Sequence, residues 1–228
     1  GFIPWDDDLD LGSVIGLHGF TEDQVEPVIT AFRDRGYFAK LECYKEYLST
    51  TLMKSNIRID WMCYRMVDDN IIHYPGVPIP VHLLTQLKEI DFAGDTFLIP
   101  NPPEDYLSAK YGPDWMTPMS SGYEKDILAM IPDPPTEQRQ STTGEYSESS
   151  STMVRVLDQQ GESVHDALVR VAGQGSNRTN EQGYAEFFLP EDNWYSLVIN
   201  YSSHEEVLYQ ERLAIGTTYV YQPDPSIT

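Results

Sequence analysis

The sequence predicts an α+β domain over residues 1–132, a disordered linker over 133–152 and a small all-β sandwich over 153–228. Three observations carry the prediction. A helix-period stretch near the N-terminus is followed by a run of short strand-like segments. At 133–152 the composition changes abruptly, and Pro, Ser, Thr, Glu and Gln replace the large apolar residues. Beyond it, short apolar and aromatic segments alternate with turn residues at the spacing of a two-sheet β domain.

The first element is the acidic run Asp6-Asp7-Asp8-Leu9-Asp10, set in an apolar frame of Ile3, Trp5, Leu9 and Leu11 that reads as a strand entering a core. Side chains alternate along a strand, so Asp6, Asp8 and Asp10 share one face and Asp7 points the other way. Residues 21–36 read as a helix. Thr21 and Gln24 form a capping box, Val25, Val28, Ile29 and Phe32 recur at helical spacing, and Gly36 stops it. Pro27 departs from the pattern, because it falls past the first helical position. Segments 37–44, 47–53, 57–66 and 70–74 are rich in aromatic and branched residues and read as strands, with Asp68-Asp69-Asn70 as a turn. Residues 75–80 read as an extended proline-rich crossing and 80–90 as a short strand or a turn of helix. The next strand, 92–99, is broken at Ala93-Gly94-Asp95. Pro102 and Pro103 start a short helix over 103–111, and Gly112-Pro113 ends it. After the linker, strands are expected at 153–157, 167–172, 184–189, 194–201, 207–214 and 217–221, with a loop at 173–177.

A net charge of -21, from 36 acidic and 15 basic residues, argues against binding nucleic acid through phosphate neutralisation. Diffuse acidity with few lysines suits a halophilic protein kept soluble in high salt. Cys43 and Cys63 lie in apolar strand-like segments and read as reduced core thiols, with a disulfide between adjacent strands as the alternative. No apolar run approaches the ~20 residues of a membrane span. The chain has neither a signal peptide nor an initiator Met, and it reads as a piece of a longer protein.

Three carboxylates side by side repel one another, and a hard divalent cation relieves the repulsion. A solvated acidic turn is the alternative. Asp60 stands alone as an acid in the apolar strand 57–62, so it should be paired or metal-bound, Arg58 and Arg65 being the candidate ion-pair partners. His18 reads as a surface histidine, with contact to phosphate as the alternative, and His73 and His82 lack zinc-ligand spacing. Lys40 and Lys45 read as solvated strand-edge residues, with contact to phosphate as the alternative. Tyr106, Tyr111 and Trp115 read as packing aromatics, with a cage for a quaternary ammonium as the alternative.

Ile3-Pro4-Trp5-Asp6-Asp7-Asp8-Leu9-Asp10 is followed by a second block, Phe92-Ala93-Gly94-Asp95-Thr96-Phe97-Leu98-Ile99-Pro100. Then come Tyr106-Leu107, Tyr111-Gly112 and Trp115-Met116-Thr117-Pro118. In this order the motifs resemble those of the LicD/fukutin-type phosphotransferase family, within the nucleotidyltransferase superfamily, over residues 1–119. The resemblance implies that Asp8 and Asp10 are paired metal ligands and Asp60 the third carboxylate, all three catalytic. It implies Mg2+ or Mn2+ as cofactor, a nucleotide-activated phospho-alcohol as donor and a glycan hydroxyl as acceptor, with Asp60 able to serve as general base. The first domain would then be nucleotidyltransferase-like, without that family's N-terminal Gly-rich element. The sequence names no substrate-binding residue.

Residues 153–223 resemble the carboxypeptidase-regulatory or collagen-adhesin-B type β-sandwich. The likeness rests on Val154-Arg155-Val156, Ala167-Leu168-Val169, Thr179-Asn180, Gly183-Tyr184-Ala185 and Leu189-Pro190. That resemblance implies a fold and no function. Two functions are therefore expected. One is metal-dependent transfer of a phosphocholine-like group to a glycan, in a cytoplasmic protein at most peripheral to a membrane. The other is a non-catalytic glycan-binding or adhesive surface protein whose acidic motif is a relic or binds calcium.

Overall fold

A computed structural model describes residues 8–119, 123–132 and 151–224. The chain divides into two compact units, Gly1–Tyr123 and Glu124–Thr228. The predicted linker lies almost wholly outside the described residues, as do Asp6 and Asp7.

The first unit is built on a four-stranded sheet. Strand β1 (Asp8–Val14) leads through a tight loop and a 3-10 turn (Glu22–Gln24) into α1 (Val25–Asp34). Three antiparallel strands follow: β2 (Phe38–Cys43), β3 (Tyr47–Lys54) and β4 (Ile57–Tyr64). The order across the sheet is β1-β4-β3-β2, with β1 parallel to β4. Parallel neighbours need a long crossover, which α1 supplies. Its start follows the capping box, where the Thr21 N–H donates to Gln24 Oε1 at 2.9 Å. Pro27 is harmless because it falls in the first turn, whose N–H groups have no intrahelical acceptor. Val25 and Ile29 pack on Leu48, Trp61 and Cys63 to form the core on one face of the sheet.

Edge strand β1 lies beyond that cover. Leu9 and Leu11, expected to enter a core, remain 45% and 38% exposed. Between β3 and β4 the turn residues Ser55 and Asn56 both take positive φ, at 53° and 62°, which matches the right-handed twist of a hairpin. A second small sheet contains β5 (Met66–Val67), β6 (Asn70–His73) and β7 (Val77–Pro80). The short helix α2 (His82–Thr85), a hairpin of β8 (Lys88–Phe92) and β9 (Asp95–Ile99), and α3 (Pro103–Tyr111) complete the unit. Cys63 is buried and Cys43 exposed, and both thiols are free.

The second unit takes in α4 (Tyr123–Met130) from its second residue onward, where Ile127, Leu128 and Ile131 are buried. Arg170 caps the helix by donating to the carbonyls of Leu128 and Ile131, at 3.0 and 2.9 Å. One sheet holds β10 (Thr152–Val156) between β13 (Tyr184–Phe187) and β16 (Thr218–Tyr221). The other runs from β12 (Gly175–Arg178) through β11 (Leu168–Val171) and β14 (Asn193–Tyr201) to β15 (His204–Leu213). Val154, Val156, Val169, Val171, Leu197 and Ile199 are fully buried in one apolar cluster that both sheets contribute to.

The fold class predicted from sequence is overturned. The chain is not an α+β nucleotidyltransferase-like domain followed by a β-sandwich. Over the described residues it is mostly β, at 46% strand and 17% helix, divided among several small sheets. From 38 to 99 the chain reverses by tight turns, and α1 makes the one long helical crossover among the described residues. Hairpins then replace the repeated helix crossovers that an α-rich sheet domain requires. Among the described residues no helix is long and apolar enough to cross a membrane.

Candidate metal centre

Asp8 and Asp10 alternate on β1, and Asp60 lies on the neighbouring β4. In the parallel register Asp10 stands beside Asp60 and Asp8 beside Arg58. The pleat turns these four residues to the face opposite α1, while Trp61 and Cys63 point into the core. Asp8, Asp10 and Asp60 each offer a carboxylate oxygen, and the three oxygens lie within 4.8 Å of one another. Asp10 is exposed; Asp8 and Asp60 are half-buried. Sequence reading chose these three, and the fold brings them together.

Arg58 is their counter-ion. Its Nη2 lies 2.7 Å from Asp60 Oδ2 and its Nε donates to Asp60 Oδ1 at 3.1 Å. The hydrogen bond to Asp60 raises the guanidinium pKa against a desolvation cost, and the charges of Asp60, Asp8 and Asp10 add to the rise. Asp60 is thus both ion-paired to Arg58 and part of the carboxylate cluster. Arg65 is engaged elsewhere, donating to both carboxylate oxygens of Glu22 and to the carbonyls of Tyr44 and Lys45.

Three carboxylates form a hard oxygen donor set, which suits Mg2+ or Mn2+. Ligands about 2.1 Å from a Mg2+ ion lie at most about 4.2 Å apart. A spread within 4.8 Å therefore closes on such an ion by a small side-chain adjustment. The residues present fit the cation.

Further along the same face is a patch of tyrosines. A Cβ at Gly12 would lie 3.7 Å from Tyr64 Cε2, an ordinary contact distance, so that ring sits over the strand two places after Asp10. Tyr64 packs against His73, with ring centroids 5.8 Å apart. Burial pushes the Tyr64 phenol up, and Tyr106 and Asp10 add to the shift. His73 is pushed down to about 3 by burial, helped by the charge of Lys110. Its Nδ1 lies 2.9 Å from the Tyr74 carbonyl, so Nδ1 carries the proton. Tyr106, Lys110 and Tyr111 reach this patch from α3.

The remaining candidates lie apart. His18 Nε2 donates to the Leu84 carbonyl at 2.7 Å and fastens the loop after β1. His82 is exposed at the start of α2. Lys40 pairs with Glu42 at 3.1 Å and is separated from Asp60 by Thr51 on β3. Lys45 is exposed. Sequence reasoning kept Arg58 only as an ion-pair partner for Asp60 and did not single out Lys110. The signal for Arg58 was its position two residues before Asp60, on the same face of one strand.

No family model matches the chain, and no curated protein matches it in sequence. Among solved structures it is similar to the Bacillus anthracis TIE protein, at 22% identity and a TM-score of 0.27. The match covers 32% of this chain and 16% of that one, and a likeness this slight bears on neither fold nor function. No comparison supports the LicD/fukutin resemblance.

Proposed function

We propose that this protein binds a divalent cation through Asp8, Asp10 and Asp60. We propose further that it transfers a phosphocholine-like phospho-alcohol group from a nucleotide-activated donor to a glycan hydroxyl. The observation that carries the reading is the convergence of the three carboxylates, from two adjacent parallel strands, within 4.8 Å. A Mg2+ or Mn2+ ion held there would neutralise donor phosphate charge and lower the pKa of the attacking hydroxyl. The chain's own residues set up the rest. Asp8 and Asp10 are fixed at alternate positions by the strand pairing of β1, and Arg58 holds the Asp60 carboxylate in place. Asp60 is the general-base candidate by the family resemblance, and its half-buried carboxylate is held in one orientation by Arg58.

The test is a transfer assay with a radiolabelled nucleotide-activated phosphocholine and a glycan acceptor. Transfer should require Mg2+ or Mn2+ and should fall at least about 100-fold in Asp8→Asn/Asp10→Asn, at unchanged melting temperature. Metal-independent transfer would overturn the reading.

A second reading, glycan binding without chemistry, is favoured by a cleft of about 380 Å³ in the second unit. Tyr184, Phe188, Asn177, Asn180 and Glu186 line it, a mix of aromatic and polar groups suited to a sugar. Glycan binding that persists in EDTA, with the donor left intact, selects this reading.

A further inference from the structure

Of the protein's six lysines, five are exposed: Lys40, Lys45, Lys54, Lys88 and Lys125. Lys110 is half-buried in the last turn of α3. Its Nζ lies 4.8 Å from the Tyr111 ring centroid. Among the described residues no carboxylate comes within ion-pair distance of it. A cation withdrawn from water without a carboxylate partner is costly, and an incoming anion removes that cost.

A chain of contacts links this cation to the face that carries the carboxylates. Gly12 and Tyr64 continue the face that carries Asp10 and Asp60. Tyr64 packs on His73, which ends β6; β6 pairs with β7, and α3 packs against β7. Asp10 acts electrostatically on Tyr64, Tyr106 and Lys110 alike. Burial opposes the Lys110 charge, but its neighbours Tyr111 and Asp10 favour the ammonium, and the net direction is upward. The Tyr106 phenol, pushed up chiefly by burial, stays protonated and able to donate.

We propose that Lys110 binds the diphosphate of the nucleotide-activated donor, next to Asp8, Asp10 and Asp60. The assignment deepens the transfer reading above and rests on it. The alternative use of these tyrosines, a cage for a quaternary ammonium, is disfavoured because the chain's own ammonium already occupies the Tyr111 ring. An ammonium point charge suits phosphate oxygens, and Arg58 is committed to Asp60.

The experiment is calorimetry on the full chain, with Mg2+ alone and then with inorganic pyrophosphate in saturating Mg2+. Wild type, Lys110→Met, Lys110→Arg and the exposed control Lys125→Met are compared. Lys110→Met should bind pyrophosphate about 10- to 100-fold more weakly than wild type, which is the loss expected for one charge-assisted contact. It should keep its Mg2+ affinity, Lys110→Arg should recover most of the pyrophosphate binding, and Lys125→Met should match wild type. Pyrophosphate binding by Lys110→Met within twofold of wild type overturns the proposal, as does a wild type that binds Mg2+ but no pyrophosphate. Should wild type bind no Mg2+, the metal reading itself fails. Pyrophosphate titrations in metal-free buffer then decide Lys110 separately, and equal binding by wild type and Lys110→Met overturns it. If Lys110→Met does not fold, Lys110→Gln takes its place, judged by the same ratio.

Discussion

Arg58 and His73 show how single residues set the electrostatics around the carboxylates. Arg58 is the resident cation of the cluster and competes with any metal for Asp60. A single charge about 6 Å from a divalent ion, in water-like surroundings, costs about 1.4 kcal/mol. Arg58→Gln should therefore tighten Mg2+ binding about tenfold, read by calorimetry; unchanged affinity would mean the ion sits elsewhere. His73 is neutral in the fold at about 3, below its ordinary 6.5. The unfolded chain then takes up a proton that the folded chain refuses, so the His73 contribution is complete above pH 6.5 and is lost as pH falls toward 3. His73→Gln should flatten the decline in melting temperature across that window relative to wild type. Asp8 and Asp10 were legible in the sequence because alternation on a strand is a local property, and Asp60 because it is the lone acid of an apolar strand and matches the third carboxylate that the family resemblance implies. Lys110 was not, because its surroundings come from β6, β7 and α3, which no local pattern relates to β1.

Elements with strong local signals appear where the sequence put them. The capping box and the spacing of Val25, Val28 and Ile29 mark α1, and Asp68-Asp69 marks the β5–β6 turn. Others escaped. The strand β12, Gly175–Arg178, has little intrinsic strand preference and was read as a loop; pairing with β11 imposes its conformation. The helix α4 was not foreseen, since the Arg170 cap and the burial of Ile127 and Leu128 come from tertiary contacts. Gly183 is a position where the backbone admits nothing larger. It takes φ 81°, and a Cβ there would meet the Val156 carbonyl oxygen at 2.7 Å. Gly183→Ala should destabilise the second unit by about 1–3 kcal/mol, measured by urea unfolding. A loss below about 0.5 kcal/mol would show that β10 and the turn before β13 can part at no cost.

For the whole molecule, a net charge of -21 leaves folding opposed by self-repulsion. Screening shortens from about 30 Å at 0.01 M salt to about 3 Å at 1 M, so the melting temperature should rise by several degrees over that range. A flat or falling salt profile would show that the acids are already compensated. The sequence did not reveal the balance of helix and strand. Motif likeness suggested an α+β nucleotidyltransferase-like domain, yet the described residues are mostly strand, and Ser55-Asn56 and Ala93-Gly94, with positive φ at all four residues, close hairpins. The acidic strand is nonetheless paired so that its alternate carboxylates meet a third from β4, and the functional account depends on that pairing. Calorimetric titration of the full chain with Mg2+ tests it most directly. Wild type should bind one or two ions at a site that Asp8→Asn/Asp10→Asn and Asp60→Asn each abolish, with melting temperatures kept. Equal Mg2+ binding by wild type and the Asp8→Asn/Asp10→Asn variant would contradict the account.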